Sequence, residues 1–224
     1  MSEVHTAAEV GQAAASRNGP TESAAAAPPG NPAVLGLLVF ALGSTVLGLS
    51  LVGFVSTAAQ GPSVLAIASA ATGLVLLVTT IWAAAEKQTF VATVLGAFAG
   101  FWFSYTMLVL GLGHNWFGIP PADISHTITQ FLIGWGIVVL MLDIISVRLP
   151  LVFTIILTDA VVAILLLIIG QLSGATGFDA AAGVFVLIFA ALGYYAYLSA
   201  AWESVGGRNP LPMGAPAIGM LSSK

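Results

Sequence analysis

Asp159 lies inside the run TIILTDAVVAILLLIIG, residues 154–170, and is the only charged residue in it. If that run crosses a bilayer, a carboxylate at its depth costs about 2.5–3.5 kcal/mol on insertion scales. Residues placed at such cost mark solute paths or proton relays. The chemistry on offer is uptake and release of a proton. The alternative is a protonated carboxyl that hydrogen-bonds a neighbouring helix and does nothing more.

The remaining polar groups offer less. Asp143 stands five residues before Arg148, near the end of its apolar run, where it can pair or reach the interface. Glu86 and Glu203 fall at the ends of apolar runs, and Asp179 opens one, where a carboxylate suits the helix dipole. Of these, Glu203 and Asp143 are the secondary candidates for function. His5, His114 and His126 are scattered without ligand spacing, and there is no cysteine. No nucleophile–base pattern, phosphate loop or metal-binding cluster is present, so neither an enzyme nor a cofactor is expected. Phe98, Phe101 and Trp102 share one helical face. That spacing fits core packing, or a hydrophobic constriction.

The elements that position these residues follow from composition. The chain is 58% hydrophobic and 6% charged, with a mean hydropathy of +1.04. Soluble domains carry about 25% charged residues, so this is an integral membrane protein. Its few bases argue against nucleic acid. Six segments have the length needed to span: 32–56, 62–85, 89–112, 126–147, 149–170 and 178–203. Lipid offers backbone groups no partner, and the runs lack period-2 alternation. The expected fold is therefore an all-α bundle of six transmembrane helices. Arg17, Lys87, Arg148, Arg208 and Lys224 all fall on one side of such a bundle. The positive-inside rule makes that side cytoplasmic, with both termini inside. Residues 1–30, rich in Ala, Ser, Gly and Pro, read as a disordered cytoplasmic tail. Residues 31–204 form the transmembrane domain, and 205–224 a cytoplasmic C-terminal tail. The GxxxG pair Gly96 and Gly100 permits close helix packing, inside the protomer or between subunits.

Several motifs then converge. NPAVLGLLVF, residues 31–40, resembles the NPAPLGLxGF signature of the acetate uptake transporter family, which includes bacterial acetate/succinate–proton symporters. Gln88-Thr89-Phe90, Phe101-Trp102 and Gln130-Phe131-Leu132 resemble the family's GNTFG, Ser-Phe-Trp and QFLG. Tyr197 to Glu203 and Asn209 to Gly214 resemble its closing LPxG region.

The resemblance implies a hexamer with one pathway per protomer, in the cytoplasmic (inner) membrane, moving small carboxylates with protons or as a channel. It further implies a constriction made by Phe40, Phe98 and Leu157, with Asn31 at the cytoplasmic mouth. Phe101 and Trp102 lie along the same pathway, and Asp159 is the candidate for proton coupling. Val34 stands where the signature has its second Pro, and Gly48, Leu51, Leu76 and Ala83 replace polar residues of the family. The expected function is secondary transport of acetate or a similar short-chain monocarboxylate, with protons as co-substrate and lipid as surroundings. The alternatives are a passive channel for a small neutral solute, of amide or urea type, and a membrane sensor or scaffold that transports nothing.

Overall fold

The computed structural model describes residues 30–55, 63–208 and 210–218. Residues 1–29 of the expected N-terminal tail, Asn209 and Lys224 lie outside the described residues. Among these, six helices are long and apolar enough to cross a membrane. They are α1 (Pro32–Leu51), α2 (Ser63–Ala85), α3 (Thr89–Gly113), α4 (Ile124–Ser146), α5 (Leu151–Ser173) and α6 (Thr176–Ser204). No described residue forms a strand. At about 1.5 Å per residue, even the 20-residue α1 reaches about 30 Å, the thickness of a hydrocarbon core.

Their ends have local causes. Asn31 caps α1, its Oδ1 accepting from the Ala33 N–H at 3.1 Å, and Pro32 fills the first turn, where no donor is needed. The far end of α1 comes sooner than the expected residue 56. Gly53 takes φ +81°, and the N–H groups of Gly53 and Phe54 turn back to the carbonyls of Ser50 and Leu49. That is a Schellman closure, which removes orphan carbonyls from lipid. Lys87 ends α2 and Asn115 ends α3 in the same way, both at positive φ.

Inside the helices, several hydroxyls are satisfied by the preceding turn. Ser44 donates to the Phe40 carbonyl, Thr79 to Val75, Thr80 to Leu76 and Thr106 to Trp102. Thr72 is different. It sits in a π-helical stretch of α2, Ile67–Gly73, and donates across to the Val39 carbonyl of α1 at 3.1 Å. A side chain at Gly43 would stand 2.6 Å from the Thr72 hydroxyl, so glycine is what lets the two helices meet there.

α1 packs between α6 and α2, α5 between α6 and α4, and α3 lies against α2. The α1–α6 seam is close. A Cβ on Gly48 would fall 2.8 Å from Leu187, one on Gly183 2.8 Å from the Val52 nitrogen, and one on Gly193 3.2 Å from the Ala41 Cβ. Gly96 faces Thr80 of α2 and Gly100 faces Trp135 of α4, so both GxxxG glycines are packed on this chain's own helices. α3 meets α4 mainly through rings: Phe101 lies 5.6 Å from Trp135 and 6.1 Å from Phe131.

Of the expected C-terminal tail, residues 210–218 run back over the bundle. Met213 accepts from the Val152 N–H in the first turn of α5, Tyr195 donates to Pro212, and Ser199 to Leu211.

Candidate functional site

Two cavities meet at one pair of rings. The first, about 170 Å³, opens among the beginnings of α1, α3 and α5. Its wall includes Leu37 and Phe40, Val94 and Phe98, and Phe153 and Leu157, and every lining residue is apolar. The second, about 70 Å³, lies beyond them and is shared by α1, α3, α4, α5 and α6. Phe40 and Phe98 line both cavities.

The wall between them is aromatic. The ring of Phe40 meets Phe98 at 4.8 Å between centroids, with an interplanar angle of 71°. Phe189 of α6 packs on Phe40 at 4.4 Å and stands 6.2 Å from Phe98. Edge-to-face pairs of this kind contribute about 0.5–1.5 kcal/mol beyond area burial. Each of the three rings is nearly buried.

Placement separates the expected residues into groups. Phe40 and Phe98 form the wall itself. Leu157 is buried and lines the first cavity only, while Phe101 and Trp102 line the second. Asn31 is exposed at the start of α1, two residues before Ala33, which lines the first cavity. Asp159 lines neither cavity. It is 8% exposed, lies against the backbone of Phe189, and leaves its Oδ2 buried without a hydrogen-bond partner. Asp143 accepts from Thr158 at 3.0 Å and Ser146 at 3.3 Å, away from both cavities. Glu203 is exposed at the end of α6.

Phe189 was absent from the sequence expectations. Its signal was modest: an aromatic residue four positions before Gly193, on a helix face that glycine brings close to α1.

The arrangement excludes more than it binds. Ser44, in the second cavity, spends its proton on the Phe40 carbonyl, and the Trp102 indole N–H is buried and unpartnered. No charged side chain faces either space. No group of three metal-ligating residues occurs among the described residues. A bare carboxylate at the wall would lose its water, and the indole N–H of Trp102 alone would not replace a hydration shell.

Comparison with known proteins agrees in sequence and in fold. The model of the GPR1/FUN34/yaaH family matches residues 15–207. Accumulation of dyads protein 2 and Ammonia transport outward protein 2, both of Saccharomyces cerevisiae, are 31% and 32% identical over 175 residues. Each match takes in 74% of this chain and 59% of the yeast protein, so the chain spans less than two thirds of those relatives. The Glyoxylate pathway regulator of Yarrowia lipolytica is 28% identical, over 84% of this chain and 70% of the relative. Among solved structures, the bacterial acetate channel SatP superposes with a TM-score of 0.70 at 22% identity, covering 80% of this chain and 96% of that one. That likeness establishes the shared fold.

Proposed function

Because this chain belongs to the GPR1/FUN34/yaaH family, a family of transport proteins and not of enzymes, we propose that it conducts a short-chain monocarboxylic acid, acetate foremost, across the membrane. The observation that carries this reading is the pair of apolar cavities divided by Phe40 and Phe98. A small solute fits the spaces, and only a neutral one crosses the wall without a large desolvation penalty. The acid therefore passes undissociated, taking its proton along. Asn31, two residues before Ala33 on the first cavity's lining, would meet the arriving anion at the positive end of α1. Leu157 narrows the first cavity, and Phe101 with Trp102 shape the second. Asp159, buried beside Phe189 and outside the cavities, is the candidate for proton coupling. The protein would work as a hexamer in the cytoplasmic membrane with both termini inside.

Purified protein in proteoliposomes, given labelled acetate with and without an inward acid gradient, tests the proposal. Wild type and Asp159→Asn are compared, and empty vesicles are subtracted. Uptake that ignores both the gradient and the substitution sinks the proton coupling and leaves a passive conduit. No uptake of acetate at all sinks the carboxylate reading.

A second reading has support of its own. One relative is named for ammonia transport, and an apolar path suits ammonia as well as it suits acetic acid. A trapped pH dye that responds to an ammonium pulse while acetate flux stays flat would favour it.

A further inference from the structure

We propose that Phe189 is a specificity-determining residue of this pathway, closing the flank of the Phe40–Phe98 contact that faces the second cavity. The inference rests on the reading of the two cavities as a route for a small acid, and goes beyond the three-residue constriction expected from α1, α3 and α5.

Leu157 bounds the first cavity and is absent from the lining of the second, whereas Phe189 bounds the second and is absent from the first. The wall is thus two layers deep around Phe40. Leu157 backs it on one side and Phe189 on the other. Of the two ring contacts that Phe40 makes, the one to Phe189 is the shorter, 4.4 Å against 4.8 Å for Phe98.

The placement of Phe189 is fixed by its helix. One turn further along α6, Gly193 brings the backbone against Ala41 and within 3.6 Å of the Phe40 ring, measured from where its Cβ would be. Gly183 and Gly48 hold the same seam further along. Phe189 therefore cannot retreat by a small shift of α6. For Phe40 to rotate into the second cavity, it must pass the Phe189 ring, and the space left between the three rings sets the width of solute admitted.

The test uses proteoliposomes holding wild type, Phe189→Leu, Phe189→Ala or Phe40→Ala, with labelled acetate and labelled four-carbon butyrate supplied separately and empty-vesicle leak subtracted. The expected result is a butyrate-to-acetate ratio that rises about tenfold in Phe189→Ala and less in Phe189→Leu, the order of discrimination one or two methylenes provide. Thermal unfolding in detergent is followed in parallel, and the Leu variant serves if the Ala variant does not fold. A ratio that stays at the wild-type value in both Phe189 variants while Phe40→Ala raises it overturns this inference and leaves the pathway standing. Equal loss of both fluxes together with a lower melting temperature assigns Phe189 to packing alone, and also overturns it. If Phe40→Ala leaves the ratio unchanged too, the cavities are not the route, and the reading beneath the inference falls with it.

Discussion

The rings of Phe40 and Phe98 meet at 4.8 Å between centroids, and two apolar cavities end on that contact from opposite sides. Removing one ring should join them. Phe40→Ala is expected to raise acetate flux in proteoliposomes roughly tenfold, which corresponds to about 1.4 kcal/mol of barrier. Flux at the wild-type rate in a folded variant would place the limiting step elsewhere.

On the carboxylic-acid reading, the pH dependence belongs to the cargo. If only the undissociated acid crosses the wall, flux at fixed total acetate depends on its protonated fraction. Above the acid's own pKa that fraction falls as pH rises, by about tenfold per unit. Initial rates measured at matched internal and external pH should decline along this line. A rate independent of pH would mean that the anion itself passes.

The glycines of the α1–α6 seam are not equivalent to those of α3. A Cβ at Gly183 would sit 2.8 Å from the backbone nitrogen of Val52, whereas one at Gly96 would meet a Thr80 methyl at 3.1 Å. Backbone cannot yield as a side chain can. Gly183→Ala should therefore cost about 1–3 kcal/mol, as overpacking does, and Gly96→Ala less. Melting temperatures in detergent decide the order, and the reverse ranking would refute the packing argument.

Lys87 closes α2 at φ +60° with an exposed side chain. The left-handed region costs a residue with a Cβ about 1 kcal/mol or more, and glycine escapes that cost. Lys87→Gly should raise the melting temperature. No rise would mean that the lysine side chain contributes as much as its backbone loses.

The C-terminal segment depends on Gly214, which takes φ +74° and has only 2.8 Å between its would-be Cβ and that of Leu151. Gly214→Val should release residues 210–218 from the start of α5. Limited proteolysis of the variant is expected to clip the C-terminal end faster than in wild type, with the six helices left intact.

Much of this architecture could be read from hydropathy, because lipid permits few alternatives to a helix about 20 residues long. The spans were legible to within a few residues where Gly, Pro or charge marked their ends. α1 was the exception. Its stop at Leu51 depends on Gly53 adopting the left-handed region, and nothing in an apolar run tells which glycine will do so. The π-helical stretch Ile67–Gly73 was invisible for a related reason, since it is a shift in backbone hydrogen bonding that leaves composition untouched. At the candidate site, Phe40 and Phe98 were nominated through a motif resemblance, and the ring contact between them was not legible. Phe189 was not, because its role comes from a seam between the first and last helices, 149 positions apart in sequence at the Thr45–Tyr194 hydroxyl contact. Asp159 was conspicuous for its charge alone, and charge did not say which neighbour it would face.

The two sides of the aromatic wall stand on supports of unequal stiffness. Phe40 rides on a helix locked to α6 by backbone-close glycine contacts, while Phe98 rides on α3, whose border with α4 is made of the rings of Phe101, Phe131 and Trp135. Rings can tilt about χ angles; interlocked backbones cannot. If the wall is the route, the backbone carrying Phe40 is the fixed support, and the α4-facing border of α3 is the one where side chains can yield.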